Sequence, residues 1–264
     1  MLSNDGASAA PADSRAERFS MELALYENPY AHRSKRHEIK ILLTYEQYIE
    51  LRTRVRGVLT PDPNMPGPEG YLIRSVYLDT IKNDAYYEKD SGVQHRNKFR
   101  IRSYNNDDSY LVLENKEKIG DRISKTGARI SREDYDSVLR GDFSPLAAYS
   151  NPLCKEVYGL HTSEGLSPKV VVEYYREAFI HPLSMVRVTF DRLVAAGMNS
   201  LDMFDEKLVT APVFPKREVV LEVKYDSVYP MYMKQLLQNN GVKLAVSKFV
   251  LCSDKLKSNY IILR

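Results

Sequence analysis

The chain has 264 residues, 43% of them hydrophobic, which is enough for one sizeable core. Its 38 Lys and Arg against 35 Asp and Glu leave a formal charge of +3, so it is no polycation that coats nucleic acid indiscriminately, and any basic character has to be local. Two cysteines far apart, Cys154 and Cys252, argue against a disulfide framework; no apolar run approaches the ~18 residues of a membrane span and the N-terminus lacks the apolar stretch of a secretion signal, so a cytoplasmic protein is expected.

In chain order, residues 1–30 are rich in Ala, Ser, Asp and Pro and read as a tail, at most with a short helix near Arg15 to Leu25. Residues 31–264 read as the folded domain, opening with strand RHEIKILL (36–43). Thr44 is a helix cap before YEQYIELRTRVRGVL, and TPDPNMPGPEG (60–70), with four prolines and two glycines, is a loop. A strand follows at 71–80, then a short helix or turn. KFRIRSY (98–104) and LVLENKEK (111–118) form a hairpin across NNDDS, with a third strand at 121–130. Residues 131–161 carry helices, KVVVEYYREAFI (169–180) is a long strand, and MVRVTFDR (185–192) returns after a turn at His181 and Pro182. A weak edge strand is expected between Val194 and Phe214, then strand 217–227, a helix closing on Gly241, and a short strand or helix start at SKFV (247–250). The count is about eight strands with no fixed-period repeat.

Four of these strands carry charge at alternate positions. Side chains two apart share a face, which groups Lys98, Arg100 and Arg102, Glu114 with Lys116, Arg187 with Asp191, and Glu222 with Lys224. Phe99, Ile101, Leu111, Leu113, Val186, Val188, Leu221 and Val223 take the other face. A half-buried sheet with its polar face in water gives the same alternation, but such faces mix in Ser, Thr and Gln, whereas nearly every position here is ionisable. The pattern predicts an α+β fold: an eight-stranded antiparallel β-barrel with a charged lumen and peripheral helices. Unpaired charge in such a lumen is costly, so its cations need acids or an anionic ligand such as polyphosphate.

Other chemistries are disfavoured. The chain has no G-x-x-x-x-G-K-[ST] and no strand-to-helix G-x-G-x-x-G, its five histidines lack metal-ligand spacing, and nothing forms a nucleophile elbow. Its 19 tyrosines read as strand and core residues rather than base-stacking platforms, and no nucleic-acid partner is expected.

The ordered set R-x-E-x-K (Arg36 to Lys40), RSVYLDT (74–80), FRIRSY (99–104), LENKEK (113–118), YREAF (175–179), VRVTFD (186–191), LEVKY (221–225) and SKFV (247–250) resembles the polyphosphate polymerase domain of the vacuolar transporter chaperone (VTC) family, within the CYTH-like triphosphate tunnel metalloenzymes. The similarity runs from about residue 35 to 252. It implies a tunnel enzyme, an ATP:polyphosphate phosphotransferase, that adds the terminal phosphoryl group of ATP to a growing polyphosphate chain with Mn²⁺ or Mg²⁺. Carried over by position, Lys40, Arg100, Arg102, Lys116, Lys125, Arg176 and Arg187 would grip the triphosphate, Glu222 would bind the metal, with Glu38 or Glu114 able to share that task, and Lys248 would be the catalytic cation. A second basic residue expected three places before Lys248 is replaced by Ala245, leaving Lys243 as its possible substitute. The resemblance further implies a separate membrane-protein partner at the inner face of a membrane. Two alternatives stand beside it: hydrolysis of tripolyphosphate or another organic triphosphate, which the replacement of a first-strand Glu by Arg36 disfavours, and a noncatalytic polyanion-binding module.

Overall fold

The computed structural model describes residues 37–87, 95–120, 122–181, 186–226, 229–245 and 247–262, with backbone alone from 259; the tail at 1–30 and Arg36 lie outside them. The elements in order are β1 (His37–Leu43), α1 (Tyr45–Arg56), β2 (Thr60–Pro61), β3 (Tyr71–Asp79), α2 (Asp84–Tyr87), β4 (His95–Arg96), β5 (Phe99–Tyr104), β6 (Leu111–Ile119) and β7 (Arg122–Ile130). Then come α3 (Arg132–Leu139), α4 (Ser144–Ala147), α5 (Pro152–Glu164), β8 (Ser167–Ile180), β9 (Arg187–Gly197), β10 (Thr210–Pro212), β11 (Val219–Tyr225), α6 (Met231–Leu236), β12 (Val242–Lys243) and α7 (Lys248–Ile262).

The architecture is α+β, with one mostly antiparallel sheet and several helices. Eight long strands run in the order β1-β11-β9-β8-β3-β5-β6-β7, with β2, β4, β10 and β12 as short additions. The sheet curls until β7 and β1, its two ends, come within 8 Å between Cα atoms. Among the described residues, however, no backbone ladder joins them, so the expected hydrogen-bonded barrel is corrected to a curled, open sheet. The closing contact is made by side chains instead: Lys116 on β6 reaches Glu38 on β1 at 2.7 Å.

Alternation sorts the two faces. Outer-face Leu43, Val188, Leu221 and Val223 pack with Leu51 and Val55 of α1 and Met233 of α6. Outer-face Val76, Ile101, Leu111 and Leu113 pack with Tyr135, Phe143, Leu146 and Leu153 of the α3–α5 insertion. Thr44 starts α1 through a reciprocal box: the Gln47 N–H donates to Thr44 Oγ1 (3.3 Å) and the Thr44 N–H to Gln47 Oε1 (2.9 Å). On the inner face, Val170, Val172, Val194, Ala196 and Val220 form a third apolar cluster, covered by Phe249 and Cys252 of α7. The C-terminal segment is thus a helix that caps one end of the inner face, with Tyr77 stacked on Phe249 at 5.1 Å.

Two sequence expectations shift for identifiable reasons. The strand at 185–192 continues to Gly197 because Leu193, at φ 52°, is a bulge that reverses the alternation. Before it Arg187, Thr189 and Asp191 point inward; after it Val194 and Ala196 do. Lys243 stands opposite Ile41, an outer-face residue, so it lies on the face away from Lys40 and does not replace the basic residue missing at Ala245.

Gly70 ends the proline-rich loop at φ +81°, where an added Cβ would meet the Arg176 carbonyl oxygen at 2.1 Å. Gly70→Ala combines left-handed strain with a backbone clash and should cost about 2 kcal/mol or more, read as a lowered urea midpoint.

Candidate functional site

Nine cations converge on the inner face: Lys40 from β1, Arg100 and Arg102 from β5, Lys116 from β6, Lys125 from β7, Arg176 from β8, Arg187 from β9, Lys224 from β11 and Lys248 from the first turn of α7. Eight of them, together with Glu222, are the residues to which the resemblance gives a role; Lys224, placed beside Glu222 by alternation, joins them. Lys98 shares their strand face but turns elsewhere, donating to the Ala85 carbonyl (2.9 Å) and Ser247 Oγ (3.4 Å) beside α7.

The deepest part is a four-residue network. Asp191 accepts from both Arg176 Nε (2.6 Å) and Nη2 (2.7 Å) and lies 2.5 Å from Lys248 Nζ. Lys248 also donates to Glu222 (2.9 Å), whose other oxygen is 3.4 Å from Arg176 Nη2. Burial opposes charge on both acids, but Arg176 and Lys248 hold Asp191 below the usual carboxylate range, and Lys248, Lys224, Lys40 and Arg176 do the same for Glu222.

One wall is organised around Glu114. Its carboxylate accepts from Arg100 Nε at 2.7 Å, lies 3.7 Å from Arg102 Nη1, and pairs closely with Lys125. Arg100 Nη1 donates to the Tyr77 hydroxyl (2.8 Å), and Arg102 Nη2 to that of Tyr174 (3.2 Å). At the rim, Glu38 sits between Lys40 (3.3 Å) and Lys116 (2.7 Å), and Arg187 pairs with Asp62 of the proline-rich loop at 2.6 Å. The Lys224 ammonium makes no hydrogen bond among the described residues; its nearest anion is Glu222 at 3.7 Å. Burial lowers its pKa to about 7, more than neighbouring Glu222 and Glu38 restore.

Exposure separates a floor from a rim. The side chains of Arg100, Arg102, Arg176, Glu222 and Lys248 are 5–12% exposed, whereas those of Lys40, Lys116, Lys125, Arg187 and Lys224 are 21–36% exposed. Among the described residues, nine cations stand against Asp62, Glu38, Glu114, Asp191 and Glu222, so the site keeps four uncompensated positive charges with Lys224 protonated and three with it neutral. That excess, spread from a buried floor to a partly exposed rim, suits an elongated polyanion.

Sequence reasoning noted Asp191 only as a face-mate of Arg187 and missed its link to Lys248, because the two are 57 positions apart and come together only through the packing of α7 on β9. Asp62 carried no signal, since a loop residue has no alternation to read. Among the described residues, no group of three or more His, Cys, Asp or Glu is placed to hold a metal ion.

Asp191→Asn removes the charge shared by two buried cations and should destabilise the protein by about 3 kcal/mol in urea unfolding, far more than an exposed Asp→Asn change.

The model of the VTC domain matches residues 35–257. Among solved structures, the chain is similar to a candidate adenylate cyclase from Bacillus halodurans, at 14% identity over 86% of this chain and 91% of that one, with a TM-score of 0.46. It is also similar to the PH1819 protein of Pyrococcus horikoshii OT3, at 13% identity over 83% and 99%, with a TM-score of 0.42. No curated protein matches it. With the family match spanning nearly all of the described residues, the chain belongs to the VTC domain family.

Proposed function

We propose that the protein is a metal-dependent phosphotransferase that moves the terminal phosphoryl group of ATP onto the end of a polyphosphate chain, the curled sheet serving as a tunnel around the phosphates. The observation that carries this reading is the set of nine inward cations that outnumber the acids among them by three or four, with a buried floor and a partly exposed rim. Arg100 and Arg102 offer guanidinium donors to phosphate oxygens, Arg176 adds charge from a fork that Asp191 already holds, and the rim lysines add compact charge where a longer chain would lie. In the transfer, an oxygen of the acceptor's terminal phosphate attacks the γ-phosphorus, the bond from that phosphorus to the β,γ-bridging oxygen breaks, and ADP leaves. Lys248, held by Asp191 and Glu222 at the floor, neutralises charge on the moving phosphoryl group.

Glu222 would hold Mn²⁺ or Mg²⁺ as a lone protein carboxylate, with phosphate oxygens and water completing the shell, once Lys248, Arg176 and Lys224, which lie 2.9, 3.4 and 3.7 Å from it, turn to the phosphates. Bound there, the ion would supply Lewis-acid charge neutralisation of the triphosphate. A separate membrane protein that receives the polymer is part of the same reading; no helix among the described residues is long and apolar enough to cross a membrane.

One observation favours a second reading, hydrolysis of a triphosphate: α7 covers one end of the inner face, so an acceptor chain has to approach from the side that ATP uses, whereas water has no such constraint. Incubation of the purified protein with ATP and Mn²⁺, followed by gel analysis and phosphate release, separates them. Polymer that disappears on chelation is expected; free phosphate alone would identify a hydrolase, and neither product a binding module. Arg100→Ala should lower turnover by about 100-fold. Glu114 keeps Arg102 and Lys125, so the melting midpoint should stay close to wild type.

A further inference from the structure

Glu114 stands out among the acids of the site. Its side chain is 0% exposed, yet it lies among three cations from two neighbouring strands: Arg100 (2.7 Å), Arg102 (3.7 Å) and Lys125. Arg100 stands directly opposite it on β5, and Lys125 projects from β7 on the other side. This makes it a poor metal ligand, because a fully buried carboxylate with three cations around it has no open side from which a dication could reach it. It is equally a poor contact for an anionic substrate.

We propose that Glu114 is a positioning residue, a fixed internal counter-anion that gathers Arg100, Arg102 and Lys125 into one phosphate-gripping wall and keeps them aimed at the substrate. The proposal rests on the triphosphate reading of the site. Packed side by side on one face, two guanidinium groups and an ammonium repel one another. A single carboxylate between them reverses that repulsion and fixes the Arg100 fork through its Nε, leaving Nη1 on the Tyr77 hydroxyl. Glu114 draws its charge state from the same geometry: burial opposes ionisation, but Arg102, Lys125 and Arg100 hold its carboxyl well below the usual range. When triphosphate arrives, its oxygens become a second anionic partner for the same cations, so Glu114 sets their positions in the free protein while competing mildly for their charge in the complex.

That dual role predicts a split no merely structural residue gives. In Glu114→Gln, which keeps the shape, the ligand-free melting midpoint should fall, because the three cations lose their shared anion. Added tripolyphosphate should raise the midpoint of the variant more than that of wild type, and its dissociation constant should be no weaker. Turnover should nevertheless drop about 100-fold with KM unchanged or lower, since the donors are no longer held at the reacting phosphorus. Glu114→Asp, with the charge kept and its reach shortened by one methylene, should recover the midpoint but not kcat. A Glu114→Gln variant with wild-type kcat, or one that loses tripolyphosphate affinity in step with kcat, overturns the proposal, as does full recovery of kcat in Glu114→Asp. The tripolyphosphate arm is independent of the reaction: if wild type binds it but turns nothing over, the functional reading fails while the binding comparison still decides the role of Glu114.

Discussion

Nine cations cannot share one face of a sheet unless anions are built in between them, and this constraint governs the rest of the structure. The register supplies the anions. Arg100 faces Glu114, Arg176 faces Asp191, Lys40 faces Glu222 and Lys224 faces Glu38, so four opposite-charge pairs meet across three different strand pairs. A shift of one residue in any of these pairs would turn the charged row outward and bring the apolar row in, so the pairing of charge and the burial of the outer-face core enforce the same register.

The second organising feature is the division of labour between the faces. Helices α1, α3–α6 cover the outer face and leave the inner one to charge, except at the end where the bulge at Leu193 switches β9 from Asp191 to Val194 and Ala196. There the inner face becomes apolar and receives α7. The same helix that seals this end begins with Lys248, so burial of Phe249 and Cys252 on the strands is what delivers an ammonium to Asp191 and Glu222. Packing and chemistry are therefore linked: the position of Lys248 is only as firm as the apolar contact behind it.

The gradient from floor to rim gives the site a direction. Arginines, which bind oxygen pairs in fixed geometry, dominate the floor, whereas four of the five rim cations are lysines. A floor of forks and a rim of mobile point charges suits a ligand held rigidly at one end and loosely along its length. The gap in backbone pairing between β7 and β1 lies beside the lysines of that rim, bridged by Glu38 and Lys116 rather than by a ladder.

Much of this was legible in the sequence. Period-two alternation located the long strands and assigned Lys40, Arg100, Arg102, Lys116, Arg187 and Glu222 to one face, because a strand's side-chain direction is a local property of the backbone. Thr44 and the proline-rich segment were equally readable, since capping and turn chemistry are set within a few residues. Which acid meets which cation was not, because register joins residues far apart in the chain and no local signal encodes it. Nor did the sequence reveal the bulge at Leu193, where one left-handed residue reverses the alternation, the helical state of the C-terminal segment, or the role of Asp62, carried inward by a loop held against β8. Sequence alone determined the strands and their charged face; the tertiary structure decided that the sheet curls without a closing ladder and that α7 seals one end, because both depend on how distant apolar surfaces find one another.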